Sequence, residues 1–351
     1  MVVESVEKCP ASFEPYQCTL SDDLQKLAKE QLGEDEAIRE HSLGQLRDWI
    51  AKHPYIRKCR TDARFLLRFL RHRKYSVPKA QESIERYLVV RQRLPEWYQK
   101  LDPRDATLKQ MLDELVLSVL GHDENGRLVL LARMGRFNTD NLIPMHLFRF
   151  LTMLSEYLLD NDESLQVAGL RIWIDHSNTP LKYFGLWGIN DLKVSMESIS
   201  KLMPFRLYEV RFAELASTAT SLINMAMSMG GPKLKERVTV SSSFLAKKKS
   251  PNSTTFNLFP QTITIQFYST VEESKPHFEE KLWIKEYGGS LDAAELNRKL
   301  GEQLEKARDE LLALDEMEID VEHYSALWKL DLNSGEIDGG IAGNFRKLEV
   351  D

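Results

Sequence analysis

Apolar positions recur at helical spacing through the first third of the chain and then give way to short β-prone runs. Leu24, Leu27 and Leu32, followed by Ile38, Leu43, Leu46 and Ile50, keep to one side of a helical period, and Ser21 stands ahead of them as an N-cap. In TDARFLLRFLRHRKY, Phe65, Leu66, Phe69 and Leu70 share one face, while Arg64, Arg68 and Arg71 share another. A basic stripe among acidic helices finds intramolecular partners more often than a ligand, so structural ion pairing is expected for most of Arg64, Arg68, Arg71 and Arg73. Val77-Pro78 ends that segment, and QESIERYLVVRQRLPEWY continues as a helix to about Leu94-Pro95. Residues 20–100 therefore read as a helical N-terminal region.

Leu115 to Leu120 and Arg127 to Arg133, separated by HDENG, predict two antiparallel strands. Helical periodicity returns at Leu147, Phe150, Leu151, Leu154 and Leu158, and AGLRIWID over 168–175 is strand-like. Helices over 188–202 and 215–229 alternate with strands at 208–214 and 236–242. This alternation predicts an α/β domain over 110–290, a mainly parallel sheet with covering helices. Residues 244–270, with Lys247-Lys248-Lys249, a polar stretch and TITIQFY, fit poorly and read as a peripheral insertion whose removal would leave the fold intact. A charged helix and an irregular Gly-rich tail occupy 291–351.

Charge and cysteines narrow the function. The 351-residue chain carries a formal net charge of −6, which argues against nucleic acid as a partner. Cys9, Cys18 and Cys59 are an odd number gathered near the N-terminus, so no disulfide framework is implied. No apolar run approaches the ~20 residues of a membrane span, and MVVESVEKCP is acidic where a secretory signal starts basic, so a cytoplasmic protein is expected.

Catalytic signatures are missing. There is no G-x-S-x-G and no H-E-x-x-H, and the loop from Gly121 to Leu128 lacks the lysine and hydroxyl residue of a phosphate loop. Asp175-His176 at a strand end invites a catalytic reading, but with no nucleophile in view a turn-capping aspartate explains it better. No enzyme, metal or cofactor is expected.

Four phrases in order, RTDARFLLRFLRHRKYSVPKAQESIERYLVVRQ, GRLVLLARMGRF, LRIWIDHSN and EYGG, resemble the CRAL-TRIO lipid-binding family, in the branch of α-tocopherol transfer protein, cellular retinaldehyde-binding protein and the clavesins. The resemblance covers roughly 20–300. It implies a sheet floor and helical walls around one cavity, a mobile gate helix at about Leu215 to Met229, and intermembrane transfer of a small hydrophobic lipid, tocopherol-, retinoid- or phospholipid-like. Pocket residues on this reading are Phe150, Leu151, Leu154, Trp173, Ile189, Val194, Leu222, Ile223 and Met225. Arg206, Lys233 and Arg237 would meet an anionic membrane surface through phosphoinositides, with the protein peripherally and reversibly attached. The gate departs from the family, with Glu214-Leu215-Ala216 in place of Asn-x-Pro. A phosphoinositide-responsive adaptor without cargo transfer is the runner-up, and a lipid-modifying enzyme the rival from another class. No protein partner is identified.

Overall fold

In the computed structural model, residues 3–198, 202–215, 238–242 and 263–327 are described. Helices α1 (Asp22–Leu32), α2 (Glu36–Lys52), α3 (Ala63–His72) and α4 (Val77–Arg93) form the N-terminal region. Each start has a local cause: Ser21, Asp35 and Asp62 accept the backbone N–H three residues on, and prolines open α4 and the short α5 (Pro95–Tyr98). Gly33, at φ 74°, ends α1 in the left-handed conformation. On α3, Phe65, Leu66, Leu67, Phe69 and Leu70 are at most 1% exposed, and full burial of such side chains contributes ~1.5–3 kcal/mol each.

After α6 (Ala106–Asp113) comes the main sheet. The two-stranded ladder β1 (Ile56–Lys58) and β8 (Glu318–Ile319) stands apart from it and pins the chain's C-terminal part to the helical region. The main sheet contains β2 (Leu117–His122), β3 (Leu128–Arg133), β4 (Leu170–Asp175), β5 (Leu207–Ala213), β6 (Val238–Ser242) and β7 (Ile263–Tyr268), in the order β2-β3-β4-β5-β7-β6. Only β2–β3 is antiparallel, joined by a turn in which the Asp123 carboxylate accepts the N–H groups of Asn125 at 2.9 Å and Arg127 at 2.8 Å. The remaining pairs are parallel. Helices α7 (Pro144–Asn161), α8 (Glu163–Val167), α9 (Leu181–Gly185) and α10 (Ile189–Glu197) fill the crossovers. The α/β class with a helical N-terminal region and a mainly parallel sheet is as the alternating pattern predicts.

One expectation is corrected. TITIQFY, at the end of the segment read as a peripheral insertion, supplies β7, which is bonded on one side to β5 and on the other to β6. Its β-branched and aromatic side chains suit an interior strand, and a strand hydrogen-bonded on both edges is not peripheral. The proposed gate, 215–229, lies outside the described residues from 216 onward.

Two of the stripe arginines, Arg68 and Arg71, form ion pairs, while Arg64 reaches the Asp160 carbonyl and Arg73 the Ser83 hydroxyl. Arg68, with no solvent exposure, meets Glu156 at 2.6 Å and Asp160 at 2.5 Å, and Arg71 meets Glu34 and Glu163, both at 2.9 Å. Since Glu156, Asp160 and Glu163 belong to α7 and α8, these pairs lock the helical region onto the sheet domain.

Candidate functional site

Because side chains alternate along a strand and parallel neighbours stay in register, the sheet has two faces of different chemistry. Leu130, Ile172, Val210 and Ile265 form one row across it, and Ala132, Ile174, Phe212 and Phe267 form the next. On β3, β4, β5 and β7 this face is apolar along both rows, the second of which meets Ser242 on the edge strand β6. Opposite it lie Val129, Leu131, Arg171, Trp173, Asp175, Glu209, Arg211, Gln266 and Tyr268.

Over β3, β4 and β5 the second face is sealed, with Gln266 and Tyr268 of β7 half-buried beside it. Arg171 reaches Glu209 at 2.6 Å and Asp123 at 3.1 Å, Arg211 reaches Glu209 at 2.9 Å, and the Glu209 carboxyl, though burial opposes it, is held below its ordinary range by the two guanidiniums. Phe278 covers this array, stacking on Trp173 with ring centroids 4.5 Å apart and lying under the Arg171 guanidinium. EYGG explains itself here. Glu286 pairs with Arg133 at 2.8 Å, the Tyr287 hydroxyl donates to Asp175, and Gly289 sits so close to the chain that a Cβ there would lie 2.1 Å from the Trp283 carbonyl oxygen. Asp175 also accepts from the Ser177 N–H at 2.7 Å, so it braces a turn and is not set up for catalysis.

The apolar face is different. Ile172, Ile174 and Phe212, on central strands, are only half-buried, as are Phe267 beside them and Leu151 on α7. Phe150 and Leu154 are buried in the same cluster, with Leu130 and Ala132. Of the expected pocket residues, then, Phe150, Leu151 and Leu154 come together against the sheet. Trp173 does not join them: strand alternation turns it to the sealed face, where its indole N–H donates to Ser274 Oγ at 2.9 Å. Val194 packs instead with Val90, Trp97, Tyr98 and Phe148, and Ile189 is 56% exposed. Leu222, Ile223 and Met225, like Lys233 and Arg237, lie outside the described residues.

Arg206 is half-buried and donates to Gln31 Oε1 at 2.9 Å and the Val167 carbonyl at 3.2 Å. Burial and then neighbouring Arg127 lower its pKa, and burial and then Arg206 lower that of Lys74. Arg127 lies flat over Tyr208, 3.6 Å from the ring centroid. Sequence reasoning passed over Ile172, Ile174 and Phe212, although the alternation of LRIWID with its isoleucines opposite Trp173 carries the signal. Among the described residues no group of His, Cys, Asp and Glu is arranged to hold a metal.

Residues 112–253 match the family model described as the CRAL/TRIO domain, and residues 35–108 match the Pinta-like UBA domain. Over residues 112–253 the chain is similar to the CRAL/TRIO domain. It is 34% identical over 168 residues to an α-tocopherol transfer protein-like protein of Mus musculus, covering 47% of this chain and 48% of that one. With clavesin-1 of Mus musculus it shares 29% identity over 203 residues, 58% of this chain and 57% of that one. The matches thus span about half the length of these relatives. The crystal structure of Sfh5 aligns with a TM-score of 0.36 and 10% identity over 71% of this chain and 82% of that one, too loose a likeness to add to this.

Proposed function

We propose that this protein holds one hydrophobic lipid against the apolar face of its sheet and exchanges it at membrane surfaces without chemical conversion. The observation that supports this most is the half-burial of Ile172, Ile174 and Phe212 in the middle of a six-stranded sheet whose other face is sealed over β3, β4 and β5. Central strands of such sheets are covered on both faces, and leaving apolar area in water costs ~25 cal/mol per Å², so this surface favours an apolar occupant. Relatives that include an α-tocopherol transfer protein-like protein agree with a lipid cargo. Exchange needs no catalytic group: a lining that replaces neighbouring acyl chains leaves pocket and bilayer nearly balanced. Among the described residues no helix is long and apolar enough to cross a membrane. This reading takes contact with the bilayer as peripheral, from the cytoplasmic side.

Docking is assigned to basic groups around Arg206. Arg127, Arg206 and Lys74 raise the local positive potential on a chain of net charge −6, and the resemblance adds Lys233 and Arg237, four apart in the sequence, as phosphoinositide contacts. Native mass spectrometry of the purified protein, followed by transfer of the identified lipid between vesicles with and without phosphoinositide, tests both parts. One lipid per chain is expected, with transfer faster toward phosphoinositide-containing vesicles and slower for Lys233→Glu/Arg237→Glu. Protein free of lipid that also binds none from a cell lipid extract would overturn the carrier reading, and equal transfer by the double variant would remove those two residues from docking.

A further inference from the structure

His176 follows the last residue of β4 and takes the next position on the apolar face after Ile172 and Ile174. Its backbone N–H donates to the Ala213 carbonyl at 2.9 Å, which fixes the residue to the end of β5. The imidazole is held among aromatic rings: parallel to Phe212 at 6.1 Å between centroids, with Phe184 at 5.5 Å and Tyr183 at 6.1 Å. Phe212 and Phe184 are among the half-buried side chains. Only 8% of His176 is exposed, yet its one side-chain hydrogen-bonding neighbour among the described residues is Thr179 Oγ1, 3.5 Å from Nδ1. Nε2 has no protein partner among the described residues, and in the tautomer in which Thr179 donates to Nδ1 it carries the ring proton. A ring donor at the edge of an apolar surface, with no protein acceptor among the described residues, is free to meet a ligand oxygen.

Resting on the carrier reading above, we propose that His176 is the polar anchor for the cargo, its Nε2–H donating to the single hydroxyl or carbonyl oxygen of an otherwise apolar, uncharged long-chain lipid. The uncharged state follows from the surroundings. Burial lowers the imidazole pKa to about 4, and the one charge that counters it, Asp175, is already engaged by Ser177 and Tyr287. A neutral ring in an aromatic collar offers one hydrogen bond but no charge to balance a carboxylate or phosphate, so acids are disfavoured there. The anchor also sets direction: a cargo hydrogen-bonded at the C-terminal end of β4 lays its chain along the rows of Ile174 and Ile172.

The test compares hexadecanol, hexadecanal, hexadecanoic acid and hexadecane, supplied from cyclodextrin, on the full chain, on His176→Phe and on His176→Gln. The wild type is expected to prefer alcohol and aldehyde over hydrocarbon by about tenfold, the worth of one buried hydrogen bond, with the acid no better than the hydrocarbon at neutral pH. His176→Phe should bind alcohol and hydrocarbon alike, and His176→Gln should recover part of the preference. Nitrogen NMR of the wild-type imidazoles needs no variant: the His176 Nε2 resonance should move with hexadecanol and stay with hexadecane. An unchanged alcohol preference in His176→Phe, a preference for the acid, or an Nε2 resonance indifferent to hexadecanol overturns the anchor while leaving the carrier. Failure of the wild type to bind any of the four, together with absence of co-purified lipid, overturns both.

Discussion

Arg68 has no exposed surface, and its guanidinium is divided between two carboxylates of α7, Glu156 and Asp160. Burial alone would favour losing its charge, but those two carboxylates raise its pKa, and the Arg60 and Arg68 guanidiniums hold the Asp160 carboxyl below its ordinary range against the opposing effect of burial. Replacing Arg68 with methionine fills much of the space but takes one partner from each carboxylate, leaving Asp160 with Arg60 and Glu156 with Tyr87 and Arg91, and breaking a buried pair costs up to about 3–5 kcal/mol. Urea unfolding of Arg68→Met is expected to show a midpoint lowered by that amount, with cargo binding preserved at low urea because the pair lies away from the apolar face. A loss below about 1 kcal/mol would show that water reaches the site and screens it. The arginine stripe was legible in the sequence as structural, since its spacing put it opposite Phe65 and Phe69; its partners were not, because they lie about ninety residues away.

At the scale of elements, β7 matters most. Hydrogen-bonded to β5 and β6, it carries Ile265 and Phe267 into the two apolar rows, while Gln266 and Tyr268 meet Arg211 on the sealed face. Deleting residues 263–268 would expose the edge of β5 and leave Arg211 short of two acceptors, so a cooperative loss of stability is expected, measured by thermal unfolding followed by circular dichroism. Unchanged unfolding would mean that β6 moves over and pairs with β5 directly. The composition of this segment pointed to a break in the pattern because Lys247-Lys248-Lys249 and the Ser/Asn/Thr stretch precede it. Alternating TITIQFY was itself a strand signal, but a local pattern says nothing about which ladder a strand enters.

For the whole molecule, pH acts through histidines in opposite directions: burial lowers the pKa of His176 and also of His146 and His277, while that of His122 is raised. His176 has a folded pKa of about 4 against an ordinary 6.5, so the unfolded chain binds the extra proton between those values. Its contribution is complete above pH 6.5 and is lost as pH falls toward 4, amounting to roughly 3 kcal/mol at about 1.4 kcal/mol per pH unit. His122, hydrogen-bonded to Asp162 at 2.8 Å, has a raised pKa, so its stabilisation is present below 6.5 and fades as pH rises through the shifted value. The more exposed His122 has the smaller effect. Melting temperature should therefore fall between pH 6.5 and 4, and His176→Phe should flatten that fall, whereas an equal slope in the variant would assign the acid lability to the paired carboxylates.

What the sequence determined by itself was local: where helices begin at Ser21, Asp35 and Asp62, the hairpin at Asp123, the α/β alternation, and a resemblance carried by short phrases such as EYGG. Each rests on interactions within a few residues or on a period along one element. Tertiary structure alone decided which face of β4 received Trp173, that Asp175 was committed to Tyr287, and that β7 came to lie between β5 and β6. It also decided that His176 stands among aromatic rings at the end of β4. These outcomes depend on register between strands far apart in the chain, where a shift of one residue exchanges the two faces and the period along a single strand is blind to the choice.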